Sequence, residues 1–144
     1  MQIEKTISRI EALQDYLIES KQFTAEETRD IKPTERSKQM FEVAGREYLV
    51  LTDKEADEHL HHYIKDTVWA FNPEFLEAHT GIDRDVFKLL QDKCEDSNDV
   101  ILRLIIDFEG FCNDAVLSDG RGHFLNHYDG TEEQSNDLFI YRTN

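Results

Sequence analysis

The segment that most constrains this chain is DVILRLIIDFEGFC, residues 99–112. It carries apolar side chains at Val100, Ile101, Leu102, Leu104, Ile105, Ile106, Phe108, Phe111 and Cys112, leaving mainly Arg103 and Asp107 as a polar strip. Read at helical period, these side chains cover almost the whole circumference, and such a helix is stable in water only when others surround it. It is therefore expected to form the centre of the core, with Asp99 as its cap. A chain of 144 residues can bury roughly two-thirds of its unfolded surface around such a centre.

The elements around it carry their own start and stop signals. Ile3, Ile7, Ile10, Leu13 and Leu17 place an amphipathic helix near the N-terminus, ending at about Lys21. Thr24 with Glu27, and Thr52 with Glu55, have the spacing of capping boxes, in which hydroxyl and carboxylate each satisfy an orphan backbone N–H. The first opens a short helix before Pro33. The second opens a long one bearing Ala56, Leu60, Tyr63, Ile64, Thr67, Val68 and Phe71. Pro73 begins a short successor that Gly81 closes, and Asp83 caps a further helix through Cys94. Alternation on either side of Gly45-Arg46 reads as a β-hairpin over about 40–51. After Gly120 and Gly122 the period changes to two, and about 123–142 reads as a second hairpin around a polar loop at 129–136. The expected fold is α+β: a helical cluster around 99–112, flanked by two hairpins, with an N-terminal amphipathic helix.

Charge is distributed unevenly. Residues 1–50 hold ten acids and eight bases, and residues 51–144 hold 21 acids and eight bases, a net −13 out of −15 for the whole chain. The shift suggests a helical extension at 1–39 joined to an acidic domain at 40–144. The first helix is expected to pack on that domain in preference to pairing with a second copy as a homodimer. The surplus of acid opposes any direct grip on nucleic acid, which relies on clustered Lys and Arg. No apolar run approaches the roughly 20 residues of a membrane span, and the N-terminus lacks a signal-peptide pattern. Cys94 and Cys112 stand 18 residues apart, without metal or disulfide spacing, and read as buried thiols in a reducing cytoplasm.

Candidate chemistry is thin. His59 and His62 have ligand spacing on a helix, and His79 lies downstream, but no Glu stands between the pair as in a zincin. His123 and His127 on a strand would be about 13 Å apart, too far to share one ion. The segment Asp119 to Asp129 is bounded by two Asp-Gly pairs, 119–120 and 129–130, and reads first as turn chemistry. DGRG at 119–122 lacks both the Gly-Lys-Ser/Thr of a Walker loop and the three glycines of a dinucleotide fingerprint. No catalytic residue, cofactor or metal ligand is assigned, and the chain reads as a non-enzyme. A small metal-dependent enzyme or metal-binding protein, using His59, His62, His79 or 119–129, is the alternative; a virion or scaffold component is another.

The acids themselves are the stronger signal. Asp53, Glu55, Asp83, Asp85 and Asp99 sit at expected helix starts, where the macrodipole favours them. Asp92, Glu95 and Asp96 crowd what reads as a helix end, where it does not. The partner-binding candidates are Asp53, Asp57, Glu58, Asp92, Glu95, Asp96, Glu132 and Glu133. A host protein with a basic nucleic-acid-binding groove is the partner this surface would attract.

Five stretches also resemble an uncharacterised family of phage and prophage accessory proteins: REYLVLTDKEAD (46–57) with YIKDTVWAFN (63–72), DGRGHFL (119–125) with YDG (128–130), and FIYRTN (139–144). The likeness spans about 40–144. It implies a phage-borne protein acting in the bacterial host cytoplasm, and by genome context an anti-CRISPR or anti-restriction inhibitor, with no residue role to transfer.

Overall fold

Both capping boxes form as the spacing requires. Thr24 N–H donates to Glu27 Oε1 at 3.0 Å while Glu27 N–H donates to Thr24 Oγ1 at 3.3 Å. The same exchange joins Thr52 and Glu55 at 2.9 and 3.2 Å. The computed structural model describes residues 2–144. Its helices are α1 (Gln2–Glu19), α2 (Asp53–Thr67), α3 (Pro73–Thr80), α4 (Arg84–Lys93), α5 (Ser97–Leu104), α6 (Phe108–Asp119) and α7 (Arg121–Leu125). Short 3-10 turns cover Glu27–Asp30 and Val68–Ala70. The strands are β1 (Lys32–Pro33), β2 (Met40–Val43), β3 (Arg46–Leu51), β4 (Glu133–Ser135) and β5 (Leu138–Arg142). The fold is α+β, as expected.

The strands form one antiparallel sheet in the order β1-β2-β3-β5-β4. Thus the two hairpins do not flank a helical cluster separately; β3 pairs with β5, setting Leu49 against Tyr141 and Val50 against Ile140. Each hairpin turns through two left-handed residues, Ala44-Gly45 (φ 50° and 78°) and Asn136-Asp137 (φ 50° and 66°). That is the type I′ pattern matching strand twist. The first turn lies one residue before the expected Gly45-Arg46, and the second is tighter than the loop anticipated at 129–136.

Two compact units divide the chain: residues up to His59 together with Arg121–Asn144, and Leu60–Gly120. In the first, period-two alternation buries both faces of the sheet. Phe41, Val43, Tyr48, Val50, Leu138 and Ile140 pack with Ala12, Leu13 and Leu17 of α1. Leu49, Leu51 and Tyr141 pack on the other side with Ala56 and Leu125. Because α1 shares a core with the strands, packing does not divide at residue 40. The apolar stripe of α1 is only half used: Leu13 and Leu17 are fully buried, each contributing about 2 kcal/mol by area. Ile3 and Ile7 are 76% and 51% exposed.

In the second unit, residues 99–112 are not one central helix. α5 ends at Leu104, and Ile105 turns extended (ψ 123°). Ile106, 82% exposed, donates its N–H to the His79 carbonyl at 3.3 Å. Asp107 then caps α6 by accepting from Gly110 N–H at 3.1 Å. An aspartate that competes for backbone donors breaks the helix where the apolar pattern runs on. The core here is aromatic. Phe71, Phe75, His79 and Phe111 stand with centroids 4.9 to 5.7 Å apart, and Phe108 stacks on Phe111 at 6.4 Å.

Candidate functional site

The expected strand at 123–128 is instead α7 and a turn, which follows from what Arg121 does. Arg121 opens α7 with its side chain only 10% exposed. Its guanidinium donates to Glu132 Oε2 at 2.7 Å, Asp53 Oδ1 at 2.9 Å and Asp57 Oδ1 at 3.0 Å, and it lies 4.6 Å from the Phe139 ring centroid. Burial works against its charge, but the bonds to Glu132, Asp53 and Asp57 outweigh it and raise its pKa. Glu132 also accepts a hydrogen bond from Tyr141, whose phenol is pushed up by burial and by that bond. Three of the eight candidate contact residues, Asp53, Asp57 and Glu132, are therefore committed to an internal arginine.

Gly122 explains the rest of the DGRG motif. A Cβ there would lie 2.6 Å from the Gly130 carbonyl oxygen and 2.8 Å from Glu132 N, so only glycine lets α7 touch that backbone. Between them, Asn126 Oδ1 accepts from Tyr128 and Asp129 N–H at 2.9 Å, and Asp129 Oδ1 accepts from Thr131 N–H at 3.1 Å. Asn126 and Asp129 are thus spent on holding the turn. His123 meets Phe124 edge-on, and His127 Nε2 lies 3.1 Å from the Phe124 carbonyl.

A second pair fastens α1. Arg9, 6% exposed, donates to both Glu55 carboxylate oxygens at 2.8 and 2.9 Å and to the Val50 carbonyl at 2.6 Å. Glu55 also accepts from Gln39 Nε2 at 2.8 Å. Burial opposes its charge, but the bonds from Arg9 and Thr52 hold its pKa down at about 2. This carboxylate caps α2 and anchors α1, two roles of which only the first was visible in the sequence.

The second unit carries the remaining charge: 13 acids against five bases, a net −8. Twelve of those 13 carboxylates are exposed, Glu77 alone being half-buried. Three of the five bases are already paired: Arg84 with Glu74 and Glu77, Lys88 with Asp85, Lys93 with Asp92. Asp92 lies in the last turn of α4, where the dipole disfavours it. Because α5 starts at Ser97 and not at Asp99, Glu95 and Asp96 precede a helix start, where their charge is favourable. Glu58 and Glu133 belong to the first unit, Glu58 exposed and Glu133 half-buried.

The histidines stay apart in chemistry. His59 Nε2 meets Gln39 Oε1 at 2.7 Å, and His79 pairs with Asp114 at 3.0 Å within the aromatic cluster. His62 is exposed. Among the described residues no group of three or more His, Cys, Asp or Glu side chains is placed to hold a metal ion. Burial pushes the Cys112 thiol up to about 12. Among the described residues no helix is long and apolar enough to cross a membrane. Comparison with family models, curated proteins and solved structures finds no match.

Proposed function

We propose that this chain is a protein-binding inhibitor, phage-encoded and acting in the bacterial host cytoplasm. In this reading its carboxylates occupy the basic groove of a host nucleic-acid-handling complex, in the manner of anti-CRISPR and anti-restriction proteins. The observation that carries the proposal is the second unit's surface: twelve exposed carboxylates with three of five bases already neutralised. Such a surface gains little for stability, because exposed charges interact weakly through water. It gains most from a counterpart of opposite sign, which it steers toward itself. The contact set in the second unit is Asp92, Glu95 and Asp96; in the first unit Glu58 and Glu133 are separate candidates. Asp53, Asp57 and Glu132 are left out because they hold Arg121.

The test is capture of the partner from a bacterial host by the full chain, followed by affinity measurement across a salt series. Reversing Asp92, Glu95 and Asp96 to Lys should weaken binding about 100-fold and flatten its salt dependence. Unchanged affinity with an unchanged salt slope would refute the acidic-face mechanism.

A further inference from the structure

In a unit dominated by acid, one concave place is lined without any carboxylate. His61, His62 and Lys65 of α2, Leu102 of α5 and Phe108 of α6 enclose an open groove of about 460 Å³. That volume falls in the range of small-molecule sites, roughly 300 to 1,000 Å³. The helical spacing of His61 and Lys65, four residues apart, brings both side chains to one face, with His62 beside them. Phe108 meets the His61 ring edge-on at 6.2 Å and is backed by Phe111, so the apolar wall is fixed from behind. Among the described residues the Lys65, His61 and His62 side chains make no hydrogen bond or ion pair with protein, unlike Arg84, Lys88 and Lys93. Asp66, Glu58, Asp99 and Glu109 are near in sequence, and none of them lines the groove.

We propose that this groove binds a small organic anion carrying a flat apolar body. The Lys65 ammonium supplies three N–H donors and a fixed charge, and the two imidazoles each add a ring N–H. Phe108 and Leu102 take the apolar part, since an aromatic face favours a stacked or edge-on ring. Neither half suffices alone: free phosphate would leave the apolar wall wet, and a neutral ring would leave the three nitrogen groups unused. The unit's surplus negative charge opposes any anion, so the site depends on short-range contact, and ionic strength near 0.15 M screens the opposing field.

Phenyl phosphate is the minimal probe. In an NMR titration of the full chain at fixed pH, it should give saturable shifts at His61, His62 and Phe108, with affinity about tenfold tighter than inorganic phosphate or phenol. Lys65→Glu lies on an exposed position and should weaken phenyl phosphate about tenfold or more, the loss of one charge-assisted bond. Lys93→Glu, outside the groove, should leave it unchanged. The absence of saturable shifts, equal binding of phosphate alone, or equal loss in both lysine variants would each overturn the proposal.

Discussion

Arg9 and Arg121 show how single side chains in an acidic protein become structural centres. Each is nearly buried: Arg9 grips the one carboxylate of Glu55, and Arg121 holds three, Asp53, Asp57 and Glu132, that would otherwise repel one another. The pair at Arg9 can be tested through pH. The Glu55 carboxyl lies at about 2 in the folded chain against an ordinary value of 4.5. Its contribution to stability is therefore full above 4.5 and is lost as pH falls from there through about 2. Glu55→Gln should cost about 2 kcal/mol at neutral pH, as expected for hydrogen bonds to a charged group. The gap from the parent protein should narrow as pH falls below 4.5 and close only near pH 2, because there the parent loses the same charge. Chemical denaturation at both pH values measures this, and a gap independent of pH would show that the carboxylate's charge is not what matters.

At the scale of elements, α7 is the instructive case. A five-residue helix has little intrinsic stability, so its place rests on Arg121 and on the contact of Gly122 with the 130–132 backbone. Gly122→Ala forces a Cβ within 2.8 Å of three backbone atoms that cannot swing aside. It should cost about 3 kcal/mol, the upper range for overpacking, and shift the denaturation midpoint accordingly. A neutral alanine would mean that α7 is not seated there. The sequence hid this element because Gly-Arg-Gly reads as a breaker, and His123 to Tyr128 are too few to distinguish a turn of helix from a strand. The caps at Thr24, Thr52 and Asp83, by contrast, were legible, because each is a local hydrogen-bonding event, whereas the Asn72 cap before Pro73 was missed. The break at 105–107 obeys the same chemistry through Asp107. There an unbroken apolar pattern outweighed a one-residue signal, although Asp107 is followed by Glu109 in the first turn. Of the candidate site, the acid clusters were visible, but their division into internal and exposed carboxylates was not. Nothing local marks Asp53 as a partner of Arg121, which lies 68 residues away.

For the whole molecule, 31 acids against 16 bases make self-repulsion the dominant long-range electrostatic term. The ion pairs opposing it differ in salt response. Exposed pairs such as Lys88–Asp85 and Lys93–Asp92 contribute little and are screened early. The nearly buried Arg9–Glu55 pair and Arg121 cage are screened far less. Raising ionic strength from about 0.01 M to 0.5 M shortens the Debye length from roughly 30 Å to a few Å, and so removes more repulsion than attraction. The melting temperature should rise over that range, by a few degrees for a domain of this size. Neutralising Asp92, Glu95 and Asp96 to Asn, Gln and Asn should raise the low-salt value and reduce the salt dependence. Binding to a cationic partner must respond in the opposite sense, weakening as the same salt is added. A surface kept only for solubility predicts the first behaviour without the second, so measuring both on one triple variant separates the two explanations. If the variant melts higher yet binds its captured partner as tightly as the parent, those carboxylates serve dissolution, and recognition lies elsewhere on the chain.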